Sequence, residues 1–196
     1  WNAYNDLGLF PSIFGNYLTM YEELCSFCKE LGVNLIFKPH PLMEKYINDH
    51  KIHAISDKYN VFLSSRKATH HLDVSVEDYL RFSDYLISDI SGIAIDFMIL
   101  GKQVIFIEPD NELYKDDKLS INWDLKREYR AGLIVRTKLE LFEKIKVCLF
   151  EKDRFIDERQ KVIRNVVGLQ DGKNSERASK KILTYHDKFI NKDNIN

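Results

Sequence analysis

The feature that most constrains the fold is a repeated alternation of short apolar runs with segments of helical periodicity. Five runs of five or six mostly apolar residues recur along the chain: VNLIF, NVFLSS, DYLIS, QVIFI and GLIVR. Runs of this kind, with few polar residues between the apolar ones, are typical of strands that are buried on both faces. Parallel sheets covered by helices on each side contain such strands. The alternation therefore predicts a doubly wound, Rossmann-like α/β domain.

Helical segments are expected near residues 16–31, 42–51, 75–83, 93–101, 137–151, 153–166 and 174–189. Ser75 stands at the start of one of them as a candidate cap, and Thr137 with Glu140 three residues later forms a capping-box pattern. We expect a single domain over residues 1–190 with a polar, frayed tail over 191–196. The first residue is Trp1, so we also expect that an upstream part is absent.

Charge and hydropathy exclude several classes of function. The net charge is −1, so no global field draws the chain to nucleic acid. A membrane-spanning helix requires a run of about 18 apolar residues, and the sequence contains no such run. Cys25 and Cys28 form a C-x-x-C within a predicted helix, and no second pair of ligands at zinc spacing accompanies them. His70, His71 and Asp73 are adjacent rather than convergent, so no metal site is predicted.

Two predicted strands end in chemically unusual loops. After VNLIF the chain reads Lys38-Pro39-His40-Pro41, in which the prolines hold the backbone extended and orient two cationic side chains. Pro41 suits the first turn of a helix, where free N–H groups attract anions. The alternative is a proline-stiffened surface loop that carries an ordinary lysine and histidine.

The second loop, Asp89-Ile90-Ser91-Gly92, leads from DYLIS into a helix near Ile93. Ser91 can cap that helix, and Gly92 allows a ligand to approach the backbone closely. A hydroxyl and backbone N–H groups at a helix start suit a phosphate, although an ordinary serine cap has the same sequence.

Three further charged residues stand at candidate positions. Arg177 lies in the first turn of the last predicted helix, where the helix dipole disfavours a cation, so it either faces an anionic ligand or pairs with Glu176 or Asp171. Glu108 and Asp110 follow the strand QVIFI and either contact a ribose or polyol hydroxyl or solvate the loop.

Taken in order, KPHP, the stretch from Ser83 to Asp110, and DGKNSERASKKIL resemble the C-terminal half of the CDP-glycerol glycerophosphotransferases, which make teichoic-acid and capsule polymers. The resemblance runs from about Leu35 to Leu183. Lys38, His40 and Pro41 match the family's basic His-Pro element. Three further parts of the family pattern are matched as well. Asp89 and Ser91 match the family's Asp-Tyr-Ser-Ser elbow, Asp96 matches the acidic residue of the following helix, and Arg177 matches the arginine near the end of the pattern.

The resemblance implies the C-terminal, donor-binding half of a GT-B architecture, whose N-terminal half lies outside this chain and supplies a general-base histidine. It implies metal-independent and cofactor-free transfer of glycerol phosphate from CDP-glycerol to a polymer or lipid-linked acceptor, at the inner face of a bacterial membrane. His40 would then be catalytic, with Lys38, Ser91, Gly92 and Arg177 on the donor diphosphate. Asp89, Asp96 and Pro41 would support the elbow and loop.

Two departures from the family pattern keep other functions open. Ile90 replaces the tyrosine of the elbow and Gly92 its second serine, so one hydroxyl donor is missing. SDISG is also similar to the Ser-Gly elbow of UDP-N-acetylglucosamine 2-epimerases and related GT-B enzymes. The alternatives are therefore a UDP-sugar-dependent enzyme or a non-catalytic nucleotide-binding or scaffold domain.

Overall fold

The computed structural model describes residues 17–38, 51–64, 75–88, 91–108 and 128–193. In chain order the elements are α1 (Tyr17–Glu30), β1 (Ile36–Phe37), α2 (Ile52–Tyr59), β2 (Phe62–Leu63), α3 (Val76–Phe82), β3 (Tyr85–Ser88), α4 (Ile93–Ile99), β4 (Gln103–Ile107), β5 (Leu133–Val135), α5 (Lys138–Phe150), α6 (Ile156–Val166) and α7 (Asn174–Asp193). Each of the five predicted strands is present. The last helix continues to Asp193, into the segment predicted as a tail.

All described strand pairs are parallel. β1 pairs with β2, with Ile36 opposite Phe62, and β3, β4 and β5 form a three-stranded sheet in that order. Ser88 stands opposite Phe106, and Ile107 opposite Val135. Consecutive parallel strands need a crossover between them, which accounts for the helices that the alternating sequence predicts.

Helices cover both faces of the central strand. All five residues of β4 are buried, and its side chains alternate between two apolar clusters. Ile105 and Ile107 pack in a cluster with residues of α1 and α5, whereas Val104 and Phe106 pack with residues of α3, α4 and α6. We call these the front and back faces. The prediction of a parallel α/β sheet buried on both sides is confirmed.

The crossover helices that follow β1 and β3 lie on different sides. Helix α2 packs with α1 through Ile52, Tyr21 and Cys25, so it lies on the front side, whereas α4 packs on the back. Because β-α-β crossovers are right-handed, helices on opposite faces carry the chain in opposite directions. Phe37 of β1 and Ile87 of β3 pack against the same front cluster. In a doubly wound sheet, strands followed by helices on opposite sides flank the topological switch point, where ligands bind, so β1 and β3 are the candidate strands for that position.

The structure contains one described helix that the sequence did not predict. Helix α2 is short and is bounded by Lys51 and Asn60, both with positive φ. Its buried Ser56 donates a hydrogen bond to the Ile52 carbonyl and lies 2.7 Å from the Tyr21 hydroxyl. Polar residues of this kind weaken the helical pattern in the sequence. Of the helix predicted over 42–51, only Lys51 lies among the described residues.

Both predicted caps are present. Ser75 accepts from the Asp78 N–H at 3.2 Å, and the Asp78 carboxylate accepts from the Ser75 N–H, which completes a capping box. Thr137 accepts from the Glu140 N–H at 3.2 Å. The Glu140 carboxylate, however, accepts from the Arg136 N–H at 2.6 Å rather than from Thr137. This bond holds the backbone at the point where β5 ends.

Candidate functional site

Lys38 lies directly after β1, beyond the carboxyl end of that strand. Its side chain is exposed, and none of the described residues pairs with it. The other members of this predicted loop, His40 and Pro41, lie outside the described residues. The structure thus places one cation of the predicted pair at the expected edge of the sheet.

The elbow after β3 is described from Ser91 onward, and Asp89 lies outside the described residues. The Ser91 carbonyl accepts from the Ala94 N–H at 3.2 Å, and its hydroxyl oxygen accepts a long bond of 3.4 Å from the Ile93 N–H. Gly92 rather than Ser91 occupies the N-cap position of α4 and the helix has no side-chain cap, so the predicted serine cap is not formed. Because the bond from the Ile93 N–H is long, a stronger acceptor or donor can engage the Ser91 hydroxyl at small loss to the helix.

Gly92 is not required by the fold. Its φ is −58°, within the range that every L-residue adopts, and a Cβ placed on it meets no atom of the described residues within 4 Å. Asp96, in the first turn of α4, is exposed, and within the described part of the chain its carboxylate has no hydrogen-bond partner. Open space therefore surrounds the start of α4 on its described sides.

Glu108 lies one residue past β4 and is almost completely buried, with 1% of its side chain exposed. Its N–H donates to the Val135 carbonyl at 2.8 Å. Arg130 Nη1 lies 3.4 Å from Glu108 Oε1, and Arg136 Nη2 contacts Glu108 Oε2. The carboxylate is thus enclosed by two guanidinium groups. Its predicted contact with a nucleotide or polyol stays a prediction, and Asp110 lies outside the described residues.

The two arginines are residues that sequence reasoning missed. Arg136 carried a usable signal, since it follows the strand GLIV directly and therefore stands at a carboxyl end of the sheet. Arg130, in EYRAG, carried none. Its position depends on the close approach of Gly132 to β4 and on the Phe106 ring, whose centroid lies 6.0 Å from the Arg130 guanidinium carbon.

Arg177 forms the local pairing that was the alternative to ligand binding. Its Nη1 and Nη2 donate to the Asp171 carboxylate at 2.8 and 2.9 Å, and Nη2 also contacts Asn174. The hydrogen bonds from Arg177 to the Asp171 carboxylate lower the pKa of Asp171 to about 2, and the hydrogen bond that the Lys173 N–H donates to the same carboxylate is the second largest cause. None of the hydrogen bonds of Arg177 reaches Lys38 or Ser91, so its role in donor binding stays a prediction.

A cavity of about 340 Å³ lies between α4 and α6, away from these residues. Gly101, which lines it, precedes β4, so the cavity opens at the opposite edge of the sheet from Ser91 and Lys38. The buried Arg159 on its wall contacts the Asp153 carboxylate and donates to the Gly101 carbonyl at 3.1 Å. These bonds attach α6 to the sheet, and we assign the cavity to packing.

Comparison with known families gives a match over most of the chain. The profile of the family described as CDP-glycerol:poly(glycerophosphate) glycerophosphotransferase matches residues 11–184. The chain belongs to this family. The resemblance inferred from KPHP, the elbow and the late Arg177 segment is thereby confirmed.

Curated relatives of this glycerophosphotransferase-family chain come from Staphylococcus aureus (strain NCTC 8325 / PS 47). It is 28% identical over 108 residues to a teichoic acid glycerol-phosphate transferase, covering 55% of this chain and 28% of the relative. Two teichoic acid ribitol-phosphate polymerases, TarL and TarK, are 26% and 24% identical, each over 83% of this chain and over 26% and 29% of their own lengths. The chain therefore spans less than a third of these relatives. No solved structure matches it.

Three further observations concern the described part of this family member. Its three cysteines are free and buried, and burial raises the pKa of Cys25 and of Cys28 to about 11, so both remain thiols at neutral pH. Within the described ranges, no helix combines the length and apolar character needed to cross a bilayer, and no three His, Cys, Asp or Glu side chains converge on a possible metal site. His70, His71 and Asp73 lie outside those ranges.

Proposed function

We propose that this chain is the donor-binding, C-terminal half of a GT-B polyol-phosphate transferase. It holds a CDP-activated donor, CDP-glycerol or a related CDP-polyol, and an N-terminal half of the same protein faces it. The product is a teichoic-acid or capsule-type polymer extended by one polyol phosphate at the inner face of the membrane. Family membership and the transfer activities named for the staphylococcal relatives support this proposal.

The observation that carries the proposal is that two family motifs follow the carboxyl ends of parallel strands. Lys38 follows β1, and Ser91 and Gly92 follow β3, and both strands pack against the front cluster. Ligands of doubly wound sheets bind outside the carboxyl ends of such strands. A lysine on one side and a hydroxyl with open space on the other suit the two phosphates of a nucleotide diphosphate.

The chemistry that we propose follows from the charge that develops during transfer. An acceptor hydroxyl oxygen attacks the phosphorus that carries the polyol, the bond from that phosphorus to the bridging oxygen breaks, and CMP leaves. The hydroxyl proton passes to a base outside this chain. Because negative charge grows on the leaving CMP, cations that contact it stabilise the transition state more than the ground state. We assign this role to His40, with Lys38, Ser91 and Arg177 on the phosphates.

Thermal stabilisation by nucleotides is the first test. A ligand that binds only the folded chain raises its stability, by about 2.7 kcal/mol at a concentration 100 times Kd. We expect CDP and CDP-glycerol to raise the melting temperature and UDP to raise it less. A larger effect of UDP than of CDP would favour a UDP-sugar enzyme instead. If no nucleotide raises the melting temperature, a scaffold domain is the better interpretation.

Replacing Gly92 with serine is expected to strengthen CDP-glycerol binding about three- to tenfold. The substitution restores the second hydroxyl of the family elbow, and a hydrogen bond to a charged group contributes about 1.5–3 kcal/mol before ordering costs. The backbone accepts the side chain, since φ is −58° and a Cβ meets no atom within 4 Å in the part of the chain that the structure describes. Calorimetric titration measures the change.

Gly92→Ala is the matched control, because it adds the Cβ without the hydroxyl. We expect its affinity to stay within about twofold of the native value and its melting temperature to stay equal or rise slightly. Equal affinities of the serine and alanine variants would show that a hydroxyl at position 92 does not contact the phosphates.

A further inference from the structure

Among the described residues, the Glu108 carboxylate contacts two guanidinium groups, those of Arg130 and Arg136. Arg130 and Glu108 are both nearly inaccessible, with 5% and 1% of their side chains exposed. Arg136 contacts the same carboxylate, yet 57% of its side chain is exposed. A buried carboxylate thus holds an exposed guanidinium group at the surface of the protein.

The register places this charge at the ligand-binding edge of the sheet. Ile107 stands opposite Val135, so Glu108 and Arg136 follow at the same level, just beyond the carboxyl ends of β4 and β5. Ile107 and Val135 both pack in the front cluster. Because side chains alternate along a strand, Glu108 and Arg136 point to the back, the side on which α4 begins after Ser91. Arg130, which contacts Glu108, also lies near the ring of Phe106, a residue of the back cluster, as expected if Glu108 points to the back.

We propose that Arg136 binds a phosphate group at this edge, as a subsite next to the one at Ser91. This inference rests on the proposed function. β5 is two strands from β3, a separation of about 10 Å at the usual strand spacing. Two sources supply the same chemistry within that distance: the phosphates of the CDP-activated donor and a phosphodiester of the polymeric acceptor.

Arg136 is suited to this task because it is partly oriented before a ligand arrives. Its backbone N–H donates to the Glu140 carboxylate at 2.6 Å, and one of its guanidinium nitrogens contacts Glu108. Within the described part of the chain, no other acidic side chain pairs with this guanidinium, so N–H donors remain on its exposed side. A planar guanidinium fork matches phosphate oxygens, and less side-chain freedom is lost when the fork is already held.

The test is calorimetric titration of Arg136→Gln and of the unaltered chain with two probes, CDP-glycerol and a nucleotide-free oligomer of glycerol phosphate. We expect about tenfold weaker binding of one probe at least, because a hydrogen-bonded charge is lost. A loss with CDP-glycerol alone assigns the phosphate to the donor, and a loss with the oligomer alone assigns it to the acceptor. Native affinity of the variant for both probes would overturn the proposal.

Two variants control the experiment. Arg154→Gln removes an exposed arginine that pairs with Glu151 between α5 and α6, at the opposite edge of the sheet, and should bind both probes normally. Arg136→Lys keeps the charge beside Glu108 but loses the fork, so it should fold even if the glutamine variant does not and should bind with intermediate affinity. If Arg136→Lys bound both probes with the same affinity as the unaltered chain, recognition by the guanidinium fork would be contradicted.

The two proposals fail separately. If the unaltered chain binds the oligomer but neither CDP nor CDP-glycerol, the donor function is wrong, and a loss of oligomer binding in Arg136→Gln still supports the subsite. If CDP-glycerol binds the chain and Arg136→Gln changes neither titration, the donor function stands and the subsite is wrong.

Discussion

Gly132→Ala is expected to lower the free energy of unfolding by about 2 kcal/mol or more. A Cβ at this position would lie 2.2 Å from the Val104 carbonyl oxygen and 3.0 Å from the Phe106 ring. The oxygen belongs to the backbone of β4, which is buried on both faces and paired on both edges, so it has little freedom to move. Overpacking of a rigid core costs about 1–3 kcal/mol, occasionally more.

Urea unfolding monitored by circular dichroism measures this difference. Gly92→Ala is the matched control, since the same methyl group there meets no atom within 4 Å, and we expect its unfolding midpoint to be native or slightly higher. Equal midpoints for the two variants would show that β5 does not approach β4 as closely as described. The comparison also bears on Arg136, whose distance from Glu108 depends on that approach.

His40→Ala is expected to lower turnover by about 10²–10⁴ in a protein that also carries the proposed N-terminal half, the range found for positioned proton donors. In the proposed mechanism, a proton donated by His40 to the departing CMP would act mainly in the transition state. Turnover should therefore fall more than the KM for CDP-glycerol rises. The rate of CMP release at saturating concentrations of donor and acceptor measures turnover.

His186→Ala provides the comparison for the loss of a histidine. His186 is exposed on α7, beside Asp187, and nothing places it near the switch point, so its removal should leave turnover within about twofold of native. If His40→Ala retains near-full turnover while its melting temperature is unchanged, His40 is not the proton donor. Lys38 and Arg177 would then be the remaining cations of the predicted donor site.

The sequence alone determined the five strands, most of the described helices and the family. Uninterrupted apolar runs predicted parallel strands, and β4 shows the reason, because all five of its residues are buried. Ser75 and Thr137 predicted helix starts correctly, since capping depends only on residues within one turn. Ordered motifs around Lys38, Ser91 and Arg177 indicated the family that the comparison shows. The strand and cap predictions used residues that lie close together along the chain, and the family inference used the order of short motifs, so none of them needed the tertiary contacts.

Only the tertiary structure decided which charged groups meet. Glu108 was predicted from its position after a strand, but Arg130 lies 22 residues away and Arg136 belongs to another strand. Both reach the carboxylate because β5 pairs with β4 in a particular register and Gly132 permits close contact. Arg177 likewise had several possible partners, and the turn before α7 selected Asp171. The strength of an ion pair depends on distance and burial, and for groups far apart in the chain both are set by packing.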